Sequence, residues 1–435
     1  MDIEDNNNNV IKNHKNILVL IIITFILEFL LRNFLFSISI PTIIFLQKYF
    51  YYLYPMEMFF SLFGMEKGIF FILIISYNQS NTLFPLMLLS IALISIYIGG
   101  VLKLIYQDER PFFVNSEILV LNCEGGFGNP SNHSLLSTFF YLSLYEIYVN
   151  QNKSFSQKKK KMFLILVILF VCCIVFSRMF LGVHTLNQIL FGSLIGFFLY
   201  YFTFKIYKID RWNFLMVIYN CKKIIFFIIF LIIFGCLSYY LFFNFDNKII
   251  YEKYNIMIEK NCPNFPFIKR LENESFYCIF VLSVLIFAVL GIYYEYYYIF
   301  LGNVSKFIKY NFNNENENEI NLLNNNVINN RWNNTNFIVS LKRLVVILFV
   351  CVVLLLPYFL ISYNNNIFVV LVFKTLIPLY AIVFILFSYM KKITGYFNLN
   401  NKNENANEDI NDFNNIENRK NLVNNNQNDY DEEII

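Results

Sequence analysis

Charge is scarce in this sequence. Only 15% of its 435 residues are Asp, Glu, Lys or Arg, and the formal net charge is +4. So small a balance suggests no nucleic-acid partner. Histidine is scarcer still, with three in the chain, and no C-x-x-C pair occurs, which argues against a structural zinc site. No internal repeat is visible. Residues 1–16 ("MDIEDNNNNVIKNHKN") lack the apolar middle and small-residue cleavage site of a removable signal peptide. They are expected to form a cytosolic tail before a signal anchor. The eight cysteines are expected to form no disulfide framework. Cys172, Cys173, Cys236 and Cys351 lie in apolar runs, where a thiol behaves as a small hydrophobe, while Cys123, Cys262 and Cys278 fall in or near loops.

Apolar residues fill the space that charge leaves. The chain is 57% hydrophobic and 20% aromatic, more than a soluble domain of this length needs. Runs of about 20 apolar residues, long enough to cross ~30 Å of hydrocarbon as a helix, recur along it. About ten such segments lie near 17–39, 57–77, 84–106, 134–150, 162–180, 185–207, 223–243, 277–301, 343–363 and 367–390, with Glu57, Glu66 and Lys67 interrupting the second. The expected fold class is all-α, a polytopic transmembrane helical bundle.

Four consecutive lysines, Lys158 to Lys161, set the orientation. Short loops rich in Lys and Arg stay cytosolic. By alternation the N-terminus and "KIYKIDRWN" are cytosolic, and the loops 107–133 and 181–184 open on the opposite side. The loop 244–276 then faces outward with a glycosylation sequon at Asn273, and the C-terminus returns to the cytosol. Residues 311–336 and 398–435 are Asn-rich and apolar-poor, and are expected to be disordered.

Three polar pieces share the non-cytosolic side. In "KLIYQDERP", Lys103 and Arg110 are two helical turns apart, on roughly one face, and Pro111 is expected to end the helix near Arg110. Alone, the pair reads equally well as cations snorkelling at an interface. "CEGGFGNPSNHS", Cys123 to Ser134, places glycines and Pro130 ahead of a helix whose N-terminus offers free backbone N–H groups to an anion. Alone, it reads as a Gly-rich turn with a Ser cap. In "SRMFLGVHTLNQ", Arg178 ends one segment and His184 begins the next. Gln188 shares the His184 face and can accept a hydrogen bond from the imidazole. Two of the three histidines, His133 and His184, thus join three permanent cations on one membrane face, a set suited to a phosphate dianion and proton transfer. Elsewhere, Glu28 and Arg32 are spaced for an ion pair within one helix, Lys374 reads as lining the bundle interior, and "YYEYYY" around Glu295 as an interfacial aromatic belt.

These residues resemble a family signature. Lys103-(six residues)-Arg110-Pro111, then Pro130-Ser131-x-His133, then Ser177-Arg178-(five residues)-His184, is similar to the three-part motif of the type 2 phosphatidic acid phosphatase superfamily. That superfamily includes lipid phosphate phosphatases, glucose-6-phosphatases and vanadium haloperoxidases. The resemblance implies a six-helix phosphatase core over 17–207, between the tail 1–16 and about four further helices in 208–397. A disordered tail, 398–435, would follow.

It also implies a metal-independent phosphohistidine mechanism with no cofactor. His184 would attack phosphorus, while Lys103, Arg110 and Arg178 hold the phosphate oxygens with Ser131 and Asn132 beside them. His133 would protonate the leaving oxygen and Gln188 would orient the nucleophile. Asn132 stands where the family usually has Gly, and Gln188 where many members have an acid. Glucose-6-phosphatases are similar in the Gln and in the Cys123-Glu124-x-Gly126-x-Gly128 run. The implied substrate is a lipid phosphate or a sugar phosphate, met at an endomembrane such as the endoplasmic reticulum with the site lumenal or extracellular. The alternative is a catalytically silent relative that acts as a membrane scaffold or binds lipids.

Overall fold

A computed structural model describes residues 2–79, 83–150, 154–208, 221–244, 256, 260, 262, 274–294, 341–350, 377–389 and 393. The Asn-rich stretches, Asn273, Lys374 and residues 295–298 of the aromatic belt lie outside the described residues. Among those described, helices account for all regular structure: α1 (Asp2–Tyr49), α2 (Tyr54–Gly64), α3 (Glu66–Gln79), α4 (Leu83–Tyr106), α5 (Pro111–Val114), α6 (Asn132–Tyr145), α7 (Gln157–Phe180), α8 (Leu186–Tyr201), α9 (Cys221–Asn244), α10 (Glu274–Tyr294) and α11 (Ile377–Ser388).

Among the described residues four helices have the length and composition of a span, 15–49, 85–114, 157–180 and 186–206, while the expected segments 343–363 and 367–390 extend beyond the described residues. The pair 51–64 and 66–76 would make a fifth, but it bends by 59°. The interruption expected from Glu57, Glu66 and Lys67 is thus a break at Met65, whose extended backbone (φ −89°, ψ 160°) follows Gly64, a poor helix former. Glu66 then opens α3 with negative charge at a helix N-terminus, where the dipole favours it. The expected span 134–150 is α6 continued by a π turn, Glu146–Asn150. Its serines and threonine suit a helix packed inside the bundle.

The chain divides into two compact units, 1–73 with 86–286, and 74–85 with 287–435. In the second, Phe287 stacks on Tyr380 with ring centroids 4.4 Å apart, and Tyr389 and Tyr294 share a hydroxyl hydrogen bond of 2.7 Å. In the first, α6 is buried almost along its whole length, while α1 and α7 expose Leu30, Phe29, Ile165 and Leu169. A hydrocarbon solvent accounts for such faces. α8 reaches α6 through Gly192 and Gly196, a small-xxx-small spacing that lets backbones approach. A Cβ on either would lie 2.6 Å from a carbonyl oxygen of Ser131 or Leu135.

α7 is about 35 Å long at 1.5 Å per residue. It carries Lys158–Lys161 in its first turns and Arg178 in its last. One cysteine expectation needs correcting: Cys123 and Cys262 form a disulfide with Cα atoms 5.9 Å apart, across 139 residues of sequence. Both lie outside the apolar runs, and only the fold brings the two cysteines together. Cys172, Cys173, Cys236 and Cys278 are not disulfide-bonded.

Candidate active site

The turn between α7 and α8 is shaped by Gly182. Its φ of 74° and a would-be Cβ 2.7 Å from the Leu119 carbonyl leave room for glycine alone. The N–H groups of Val183 and His184 both donate to the Arg178 carbonyl at 3.3 Å, which folds His184 back over the end of α7. α1 secures this turn from the side. Gln47 donates to the carbonyls of Leu119 and Phe180 and accepts from the Leu119 N–H, and Ser39 accepts from Leu186 N–H at 2.8 Å.

The Lys103–Arg110 piece departs from a single continuous helix. α4 stops at Tyr106 and Gln107 takes φ 50°, so residues 107–110 are a loop, and Pro111 opens the short α5 as its first residue. That loop is held at several points. Asp108 accepts from Gly128 N–H at 2.8 Å and from Asn129 at 2.9 Å, and it pairs with Arg32 of α1. The cation of Arg32 therefore serves this loop and the Tyr106 ring, 4.8 Å away, beyond its helix neighbour Glu28.

Arg110 is fully buried and thoroughly bonded. Its Nε and Nη2 donate to the carbonyls of Gly126 and Gly125 at 2.9 and 2.6 Å, and Nη1 to that of Val183 at 3.1 Å. Nη1 also lies 3.4 Å from His184 Nε2. Arg178, equally buried, donates to the Ser61 hydroxyl and pairs with Glu124. Lys103 is buried and close enough to His133 to act on it electrostatically.

One anion joins these groups. The Glu124 carboxylate pairs with Arg110 at 3.2 Å and with Arg178, and its two oxygens each lie 3.7 Å from an imidazole Nε2: Oε1 from His133, Oε2 from His184. Burial opposes its ionisation. The charge of Arg178, joined by that of Arg110, outweighs this and holds the carboxyl well below its usual range.

The tautomer of His184 follows from its neighbours. Nδ1 faces only acceptors, Gly128 O at 2.9 Å and Gln188 Oε1 at 3.2 Å. The orientation of the Gln188 amide is itself determined, since its nitrogen donates to Glu109 O at 2.7 Å and its oxygen accepts from Thr185 N–H. Nδ1 therefore carries the hydrogen, and Nε2 presents a lone pair toward the carboxylate. Burial first, then the Arg110 charge, push the imidazole down to about 3, with Glu124 pulling the other way. The ring is neutral.

Ser131 and Asn132 stand at the start of α6. The Ser131 hydroxyl accepts from Ser134 N–H as the cap of α6, which starts at Asn132, so Pro130 directly precedes the cap. The Asn132 side chain packs against Gly99 of α4. Two contributors lay outside the three sequence pieces. Ser61 reaches Arg178, and Gly64, at the end of α2, brings backbone so close to His133 that a Cβ would lie 3.1 Å from its ring. Glu124 stood in plain view beside the glycines, but nothing in its local sequence says where its side chain goes.

The arrangement is a buried cationic cup with two imidazole nitrogens on one anion position. Such a cup takes oxyanions, and a neutral imidazole with a free lone pair can attack one. Among the described residues, no group of three or more His, Cys, Asp or Glu is placed to hold a metal ion. No curated protein and no solved structure matches this chain. The model of the PAP2 superfamily matches residues 84–212, a stretch that contains Lys103, Arg110, Glu124, His133, Arg178, His184 and Gln188. This chain of membrane-length helices therefore carries a PAP2 superfamily domain at residues 84–212.

Proposed function

We propose that the chain is an integral-membrane phosphomonoesterase working through a phosphohistidine. The observation that carries this reading is the convergence of Arg110, Arg178, His133 and His184 on the two oxygens of one carboxylate. A phosphate in that position meets the lone pair of His184 Nε2 and the Nε2 of His133 together. His184 forms the N–P bond as the P–O bond to the leaving group breaks, and a proton from His133 Nε2 neutralises the leaving alkoxide. His133 then takes a proton from the water that attacks phosphorus, which frees His184 and inorganic phosphate. The guanidiniums, with Lys103, stabilise charge on the non-bridging oxygens throughout.

Two features support a non-cytosolic cup. The lysine run and Arg178 stand at opposite ends of α7, and a disulfide joins the loop that holds Glu124, as expected in an oxidising compartment. The silent-scaffold reading rests chiefly on Asn132 standing where the family usually has Gly, and the packing of that side chain against Gly99 weakens it.

Purified protein should release phosphate in the presence of EDTA, and His184→Ala should abolish release while the protein stays folded. A panel of phosphatidate, sphingoid-base phosphate and glucose 6-phosphate assigns the substrate class. Full activity of the His184 variant would remove the nucleophile assignment.

A further inference from the structure

Glu124 has no step in the phosphohistidine scheme, yet its carboxylate holds the central position in the cup. It bridges both buried guanidiniums and lies against both imidazoles. A substrate phosphate needs the same donors, so the two anions exclude one another. A phosphomonoester carries about −1.5 to −2 charge at neutral pH with three strong acceptor oxygens, against one charge and two oxygens for the carboxylate. The incoming group therefore has the means to displace the resident one.

The backbone around Glu124 limits how that happens. Cys123 is tied to Cys262, and the carbonyls of Gly125 and Gly126 are bonded to Arg110 Nη2 and Nε, on the far edge of the guanidinium from Nη1. Gly126 holds a left-handed φ of 77°. These anchors do not depend on the carboxylate, so the loop stays in place while the side chain rotates. The side chain is 14% exposed, which leaves an opening toward solvent. After rotation the carboxylate remains within one side-chain length of the cup.

We infer that Glu124 is a built-in exchange anion. Its carboxylate gives way to the substrate phosphate and returns as the product phosphate leaves, so the buried guanidiniums are never left bare. This rests on the phosphatase reading of the cup. The physical need is plain: a dianion leaving a dry site with two fully buried arginines strands their charge, and an uncompensated buried charge is strongly unfavourable. A tethered carboxylate removes that barrier and weakens every competing anion by one common factor, as a closed conformer would.

The test is calorimetric titration of inorganic phosphate into the full-length protein in detergent, wild type beside Glu124→Gln, with phosphomonoesterase activity measured in parallel. The variant should bind phosphate at least tenfold more tightly and suffer correspondingly stronger product inhibition. Equal or weaker binding by the variant overturns the exchange role, and an active wild type then leaves the phosphatase reading standing. Phosphate binding by neither protein overturns both. Should Glu124→Gln not fold, Glu124→Asp keeps the charge on a shorter arm that cannot span both guanidiniums. Tighter phosphate binding there sustains the inference, and unchanged or weaker binding ends it.

Discussion

Arg178 donates a hydrogen bond to the hydroxyl of Ser61, 117 residues earlier in the chain. The guanidinium is fully buried and its Nε has no hydrogen-bond partner among the described residues, so Ser61 and Glu124 together orient it. α2 is therefore part of the site's support, and the break after Gly64 lets the chain turn away once Ser61 is in place.

Ser61→Ala should misorient Arg178. A hydrogen bond to a charged group contributes about 1.5–3 kcal/mol, so kcat/KM for a phosphomonoester should fall by about tenfold to a hundredfold. Ser61→Thr, which retains the hydroxyl, should recover most of the loss. Steady-state kinetics on the two variants decides it.

Gln188→Glu should impair the protein, although many relatives by resemblance carry an acid at this position. The amide nitrogen donates to Glu109 O at 2.7 Å, and a carboxylate there would set two acceptors against each other. Losing this hydrogen bond costs about 0.5–1.5 kcal/mol. A lower melting temperature and lower kcat/KM are expected; an increase in both would contradict this account of the amide.

Gly192→Ala and Gly196→Ala should each force α8 away from α6, because the added methyl would meet backbone oxygen at 2.6 Å. Overpacking of this kind costs about 1–3 kcal/mol. Thermal unfolding in detergent should report both losses. Gly192→Ala should also reduce activity, since Ser131, against which it pushes, stands two residues from His133.

The pH profile should not report His184 near neutrality. With the ring pushed down to about 3, its lone pair is available throughout the range from about pH 5 to 8. An acid limb of kcat/KM in that range should follow the second ionisation of the substrate phosphate, at about pH 6. It should move when an alkyl phosphate is replaced by a more acidic aryl phosphate; a limb that stays put would assign it to the enzyme. Stability follows the same ring. Its folded value lies below the ordinary 6.5, so the contribution of neutral His184 is complete above 6.5 and lost as pH falls toward about 3.

Parts of this fold are legible along the chain and parts only across it. Apolar length locates α1, α4, α7 and α8, because a span announces itself within 20 or so residues. The i, i+4 spacing of His184 and Gln188 likewise predicts a contact that one helical turn delivers. Ser61 could not be read this way. It sits in an apolar stretch, and its role depends on how α2 packs against α7. The Cys123–Cys262 bridge and the course of the Glu124 side chain are also products of tertiary packing. The end of α4 at Tyr106, ahead of the proline, reflects the loop bonds at Asp108 and Glu109, which come from residues far downstream.

α7 binds address to chemistry in a single rigid rod. In the orientation proposed above, its lysine end directs how the helix is laid in the membrane, and its arginine end builds the cup. Neutralising those four lysines would touch nothing near phosphorus, yet it would loosen the hold on orientation. Molecules inserted upside down would carry an intact cup to the opposite face of the membrane.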